Sequence, residues 1–167
     1  MSITLRAGFV GLGSMGGPMV QRMIDQGVPT TLWARRAAAL EPFVGAATAV
    51  SLSELGAVSD YVGVCVLNDD DVRSVVLGDE GILAGMAKGS VLAIHSTIHP
   101  DTCVELAAAA KPKGVAVVDA PVSGGGPRAI EGQLLVLLGG DAHDIKTIEP
   151  VLSTFGSHLV HVGGLGA

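Results

Sequence analysis

Aromatic residues and cysteines are scarce in this chain, and acidic residues outnumber basic ones. The 167 residues include one Trp, one Tyr, three Phe and two Cys, and the net charge is −6. Basic residues do not cluster beyond Arg35-Arg36, which argues against a nucleic-acid partner. Cys65 and Cys103 lie in apolar stretches without C-x-x-C spacing, so we expect reduced core thiols in a cytoplasmic protein.

Long uninterrupted apolar runs are also missing, although 49% of the residues are hydrophobic. Glycine, proline or a charge interrupts every run before the roughly 20 residues that a membrane-spanning helix needs. We therefore expect no membrane partner and interpret the apolar runs as strands buried on both faces. The histidines show no metal-ligand spacing, so we expect surface or strand-end positions and no metal site. They are His95, His99, His143, His158 and His161.

What is present is an alternation of strand-like and helical patterns. The predicted strands are 4–10, 30–34, 48–50, 61–66, 91–94, 115–118, 134–138 and 158–162. The predicted helices are 14–26, 37–43, 51–56, 70–77, 100–110 and 141–154. Such alternation predicts an α/β fold with a Rossmann-like, doubly wound, mostly parallel sheet and helices on both faces. We expect residues 1–167 to form one domain.

Three glycines directly follow the first predicted strand. Gly11, Gly13 and Gly16 have the G-x-G-x-x-G spacing of a dinucleotide-binding loop. The first glycine permits the tight turn, the second lets the backbone approach a pyrophosphate, and the third lets the following helix pack closely. Free amides at the start of that helix then bind the phosphates. The loop predicts cofactor contacts at Gly11, Leu12, Gly13, Ser14, Met15 and Gly16.

The end of the second predicted strand indicates which dinucleotide is bound. An acid about 20 residues after the fingerprint normally binds the ribose 2′-hydroxyl of NAD, but no acid occurs between Asp25 and Glu41. Arg35 and Arg36 stand there instead, and a guanidinium matches a 2′-phosphate. We therefore predict NADP, with Arg35 as the main contact and NAD as the alternative. An ordinary exposed arginine pair that opens a helix is the other interpretation.

Three segments in this order resemble the β-hydroxyacid dehydrogenase family, which includes 3-hydroxyisobutyrate dehydrogenase. They are GLGSMGGPM at 11–19, STI at 96–98 and DAPVSGG at 119–125. The resemblance implies that the chain is the NAD(P)-binding domain of such an oxidoreductase. Asn68 stands where many members carry proline. The implied cofactor contacts are Leu67, Asn68 and Thr97, and the implied substrate-binding residues are Ser123, Gly124 and Gly125.

The resemblance also implies a reaction. Members of the family interconvert a small 3-hydroxy acid and its semialdehyde or oxo acid by hydride transfer, and a lysine handles the hydroxyl proton. No lysine of this chain matches that motif, and Asp119 is expected to be structural. We therefore expect the lysine, and a helical domain that makes a homo-oligomer, downstream of Ala167. The chain alone is then expected to bind the cofactor without catalysis.

Two other functions remain open at this point. One is the cofactor domain of an imine reductase or reductive aminase, which would use a different proton donor. The other is a non-catalytic NADP-binding module. The segment 119–125 favours a carboxylate substrate and argues against the first of these.

Overall fold

The computed structural model describes residues 2–167, in which nine strands form one sheet. The strands are β1 (Ala7–Val10), β2 (Thr30–Trp33), β3 (Ala47–Thr48), β4 (Tyr61–Val64), β5 (Val91–Ile94), β6 (Ala116–Asp119), β7 (Val122–Ser123), β8 (Leu134–Gly139) and β9 (Gly156–Gly163). The helices are α1 (Gly16–Asp25), α2 (Leu52–Ala57), α3 (Asp69–Val76), α4 (Ile82–Gly85), α5 (Pro100–Ala110), α6 (Gly125–Glu131) and α7 (Ala142–Leu152). Two short 3₁₀ helices cover Ala37–Leu40 and Lys111–Lys113.

Six parallel strands form the main part of the sheet, in the order β3-β2-β1-β4-β5-β6. This is the doubly wound order, in which the direction of winding reverses between β1 and β4. The register aligns the carboxyl ends of the strands, since Val10 is paired with both Trp33 and Val64. The loops that follow β1, β2 and β4 therefore leave the sheet side by side. The predicted α/β, Rossmann-like fold is confirmed.

The sheet changes direction at its far edge. Strand β8 is antiparallel to β6 and β7, and β9 pairs in parallel with β8. Strand β7 follows β6 after only two residues, and both lie against the same partner strand. The sheet is thus mostly parallel, as predicted, with a reversed pair of strands at one end.

Apolar side chains fill both faces of the sheet. On one face, Met19 and Met23 of α1 pack with Phe9 and Phe155, and α7 completes the layer. On the other face, the packing joins strand residues such as Val62 to α3 and α5. Continuous burial of β1, β4 and β5 explains why these strands have unbroken apolar sequences. None of the helices described in residues 2–167 is long and apolar enough to cross a membrane.

Several predicted boundaries were wrong. Strand β1 begins at Ala7 rather than residue 4, and the Arg6 amide before it donates to the Asp60 carboxylate. The helix predicted over 37–43 is a 3₁₀ turn, because Pro42 supplies no amide to continue it.

Helices α4 and α6 and strand β7 were missed. All three are short, and the helices contain the glycines that local patterns associate with loops. In α4, a Cβ at Gly85 would collide with the Ser53 carbonyl oxygen, so this glycine permits close packing against α2.

Candidate functional site

A cleft of about 640 Å³ lies at the carboxyl edge of the sheet, between the ends of β1 and β4. This is the position where open α/β sheets bind ligands. All predicted cofactor contacts line the cleft except Asn68 and Thr97. The predicted residues in its wall are Gly11, Leu12, Gly13, Ser14, Met15, Gly16, Arg35, Arg36 and Leu67.

The three fingerprint glycines have different surroundings. Gly11 has φ +100°, and a Cβ there would collide with the Cys65 carbonyl oxygen. A Cβ at Gly16 would collide with the Gly11 carbonyl oxygen. A Cβ at Gly13 would meet no atom within 4 Å. The first and third glycines are therefore required by the fold, whereas the second leaves open space beside the cleft.

The loop also presents free amides. The backbone N–H groups of Gly13, Ser14 and Met15 have no hydrogen-bond acceptor among residues 2–167. Helix α1 begins immediately afterwards, with the Gly17 amide bonded to the Gly13 carbonyl at 2.9 Å. Unpaired amides at the positive end of a helix dipole favour an anion. The loop is thus suited to hold a phosphate group.

Two arginines and one acid border the same cleft. Arg35 and Arg36 follow β2 and are exposed, and Arg35 Nη2 lies 3.5 Å from Ser74 Oγ of α3. Asp71 of α3 also lines the cleft. The sequence alone assigned no contact to Asp71, although the helix cap at Asn68 places Asp71 in the first turn of α3.

The segment after β4 contributes an apolar wall. Leu67 is 90% exposed although it lines the cleft with Val66 and Val75. Asn68 Oδ1 accepts a hydrogen bond of 2.9 Å from the Asp71 amide and so caps α3. The Asn68 side-chain oxygen is therefore engaged in the fold, which leaves the Nδ2 group and the backbone for a cofactor contact.

The two remaining predicted segments also lie at the carboxyl edge. Thr97 is exposed in the loop between β5 and α5. Ser123 ends β7, and Gly124 and Gly125 lead into α6 with φ of +137° and +74°. A Cβ at Gly126 would lie 3.5 Å from the Ser14 carbonyl oxygen, so this segment approaches the glycine loop.

His95 is one of several buried polar residues, and the sequence alone assigned no contact to it. It does lie at a strand end, as predicted, but it is only 2% exposed. Its Nδ1 is 2.8 Å from the Ala120 carbonyl oxygen and its Nε2 is 2.6 Å from the Tyr61 hydroxyl. Nδ1 must donate to the carbonyl, so Nε2 accepts from Tyr61 in the neutral ring. Burial lowers the pKa of His95 to about 4.

Asp119 ends β6 and directly precedes Ala120, whose carbonyl oxygen accepts from His95. Its Oδ2 accepts a hydrogen bond of 3.3 Å from the Gly166 amide, and its buried Oδ1 has no partner among residues 2–167. Burial raises the pKa of this carboxyl above its usual range. The contact ties the segment after β9 to the sheet, which agrees with a structural role.

Comparisons with known proteins identify the family. A sequence model for the NAD-binding domain of 6-phosphogluconate dehydrogenase matches residues 6–163. An uncharacterized oxidoreductase of Mycobacterium tuberculosis is 40% identical over 98% of this chain and 56% of its own length.

Solved structures agree with this result. A 3-hydroxyisobutyrate dehydrogenase from Salmonella typhimurium superposes with a TM-score of 0.91 at 32% identity, over 98% of this chain and 58% of that one. Psf3 in complex with NADP+ gives 0.91 at 28% identity, over 96% and 57%. The chain thus spans slightly more than half the length of the proteins it matches. It belongs to the family of NAD-binding domains typified by that of 6-phosphogluconate dehydrogenase, which occurs in hydroxyacid dehydrogenase-like oxidoreductases.

Proposed function

We propose that this chain binds NADP and is the cofactor-binding part of an oxidoreductase that acts on a small 3-hydroxy acid. The observation that carries the proposal is the composition of the cleft. Unpaired amides of the glycine loop and the guanidinium groups of Arg35 and Arg36 line the same space at the switch point of the sheet. An anion-binding loop and a separate pair of cations fit a molecule with a pyrophosphate and a 2′-phosphate.

Different residues of the cleft contact different parts of the cofactor. The amides of Gly13, Ser14 and Met15 hold the pyrophosphate, and the absent Cβ of Gly13 lets it approach the backbone. Arg35 binds the 2′-phosphate. Leu67, exposed in this structure, packs against the adenosine. Burial of an exposed leucine adds a favourable apolar contribution to cofactor binding.

The substrate side of the proposal is supported by the segment that approaches the glycine loop. Ser123 offers a hydroxyl, and Gly124 and Gly125 leave their backbone exposed for a substrate carboxylate. Bound NADP supplies or accepts the hydride. The named 3-hydroxyisobutyrate dehydrogenase with the same fold favours a small 3-hydroxy acid. We propose that Thr97 contacts the nicotinamide half. A lysine outside these 167 residues is proposed to transfer the hydroxyl proton.

The position of Asp71 in the cleft wall favours NAD instead. Its carboxylate lines the cleft and could accept a hydrogen bond from a ribose hydroxyl, and it would repel a 2′-phosphate close to it. Two cations against one acid leave the border of the cleft net positive. NADP therefore remains the proposed cofactor.

Isothermal titration calorimetry with NADP and NAD tests the proposal. We expect the chain to bind NADP about ten- to a hundredfold more tightly than NAD, because each charge-assisted hydrogen bond to the 2′-phosphate contributes about 1.5–3 kcal/mol. Arg35→Gln should remove most of this preference and leave NAD binding unchanged. Arg36→Gln is the matched control, because it removes the same charge from the neighbouring residue. It should weaken NADP binding less than Arg35→Gln does.

Two results would contradict the proposal. Absence of binding by either dinucleotide would remove the cofactor function altogether. Tighter binding of NAD than of NADP would assign the ribose contact to Asp71 and make Arg35 an ordinary exposed residue.

A further inference from the structure

The loops that follow β4 and β5 are joined at two points. At the base, the Val66 amide donates to Ser96 Oγ at 2.8 Å. At the outer end, the His99 amide donates to Asp69 Oδ2 at 2.9 Å. Thr97 lies between these two contacts, exposed at the carboxyl edge of the sheet. The loop that carries Thr97 is therefore held at both ends by the segment that contributes Val66 to the cleft.

The outer contact is part of a larger network between α3 and α5. Asp69 Oδ2 also accepts a hydrogen bond of 2.6 Å from Thr102 Oγ1, which is 1% exposed in α5. Arg73 Nη2 donates to the same hydroxyl oxygen at 3.0 Å, and Arg73 Nε donates to Glu105 at 2.8 Å. The hydrogen bonds from the Thr102 hydroxyl and the His99 amide hold the pKa of Asp69 below its usual range. One carboxylate oxygen thus anchors both the loop and the first turn of α5.

We propose that Asp69 is a positioning residue that fixes the loop of Thr97 against the nicotinamide half of the dinucleotide. This inference rests on the proposed function and deepens it. The glycine loop, Arg35 and Leu67 are the proposed contacts of the adenosine half, and none of them hydrogen-bonds to Asp69. Loss of the Asp69 contacts should therefore weaken binding of the nicotinamide half and leave binding of the adenosine half intact.

The chain offers closely matched variants. Asp69→Ala removes the acceptor, whereas Asp69→Asn keeps one oxygen that can accept from His99 and Thr102. Asp70→Ala removes a neighbouring acid from the same turn of α3. The Asp70 side chain is 96% exposed and pairs with Arg73 at 3.3 Å, without a hydrogen bond to the Thr97 loop.

The decisive measurement compares two ligands by calorimetry. NADP contains both halves, whereas 2′,5′-ADP contains only the adenosine half with its 2′-phosphate. In the wild-type chain we expect NADP to bind more tightly than 2′,5′-ADP. Asp69→Ala should weaken NADP binding about three- to tenfold, as expected for lost hydrogen bonds to a charged group, and leave 2′,5′-ADP binding within about twofold. Asp69→Asn and Asp70→Ala should remain close to wild type for both ligands.

Several outcomes would overturn the inference. Unchanged binding of both ligands by Asp69→Ala would show that the contact does not position the loop. Equal losses for both ligands would make Asp69 a general support of the fold. Equal affinity of the wild-type chain for both ligands would mean that the loop binds nothing. Failure to bind 2′,5′-ADP would instead contradict the proposed function, because that ligand needs only the glycine loop, Arg35 and Leu67.

Thr102→Val supplies a second test if Asp69→Ala does not fold. Valine has nearly the shape of threonine and removes only the hydroxyl that bridges Asp69 and Arg73. The same selective weakening of NADP binding would support the inference. Parallel losses for NADP and 2′,5′-ADP, or no change in either, would overturn it.

Discussion

At the scale of single residues, the three fingerprint glycines have separate physical tasks. Gly11 adopts a positive φ and lies against the Cys65 backbone, and Gly16 lies against the Gly11 carbonyl. Both would be strained by any side chain. Gly13 is exposed and unhindered, so its glycine is not needed for folding. The same motif therefore contains two residues that serve the fold and one that is free to serve a ligand.

This difference predicts opposite effects of two substitutions. Gly16→Ala should destabilise the chain by about 3 kcal/mol, because the Gly11 carbonyl must move to admit the methyl group. Gly13→Val should leave the free energy of unfolding within about 0.5 kcal/mol of wild type and weaken NADP binding more than about tenfold. Urea unfolding and calorimetry measure the two quantities. Equal destabilisation by both variants would contradict the division of tasks.

At the scale of secondary-structure elements, His95 joins parts of three neighbouring strands. It follows β5, accepts from Tyr61 at the start of β4, and donates to Ala120 just after β6. Its ring stacks on Phe9 of β1, with centroids 5.9 Å apart, and meets Phe155 edge-on. The contact to Ala120 also holds the start of the segment that leads to Ser123.

The buried imidazole predicts a pH-dependent stability. The pKa of His95 is lowered to about 4 in the folded chain, from 6.5 for the free side chain, so the unfolded chain binds the extra proton between these values. Stability should therefore be full above about pH 6.5 and fall by about 3 kcal/mol as the pH drops to 4.

His95→Gln isolates this effect in urea unfolding at several pH values. Glutamine retains one donor and one acceptor but does not titrate, so the variant should lose most of the pH dependence over this range. Groups that titrate in both proteins, Asp119 among them, cancel in the comparison. An unchanged slope in the variant would assign the acid sensitivity to other residues.

At the scale of the whole molecule, the proposed cofactor cleft and the proposed substrate segment lie in one nine-stranded sheet domain. The candidate cofactor and substrate segments meet at one edge of the sheet. The chain spans slightly more than half the length of its relatives. Our proposal places the lysine that transfers the hydroxyl proton outside residues 1–167.

We accordingly expect the 167-residue chain to bind NADP and to catalyse no hydride transfer. Incubation with NADP and 3-hydroxyisobutyrate, followed by near-ultraviolet absorbance, should show no NADPH formation. Calorimetry on the same preparation is the control, because it establishes that the cofactor is bound. Measurable NADPH production by the chain alone would contradict the expectation and assign the proton transfer to a residue of this chain.

Local patterns in the sequence determined the elements and the loop that binds phosphate in our proposal. The strands β1, β4 and β5 are apolar throughout because both of their faces are buried, and the glycine spacing reports the backbone geometry of one short loop. Both signals arise within a few residues. They were therefore sufficient to predict the doubly wound fold and most of the cleft wall.

Only the tertiary structure decided which distant residues meet. Asp69 contacts His99, and His95 contacts Tyr61, across 30 and 34 positions of sequence. Asp71 joins the cleft because α3 starts beside the switch point. Such contacts depend on the order and register of parallel strands, which no local periodicity encodes. The short β7 and α6 likewise form because β7 pairs with β8 and α6 packs against α1, and not because of their own sequence preference.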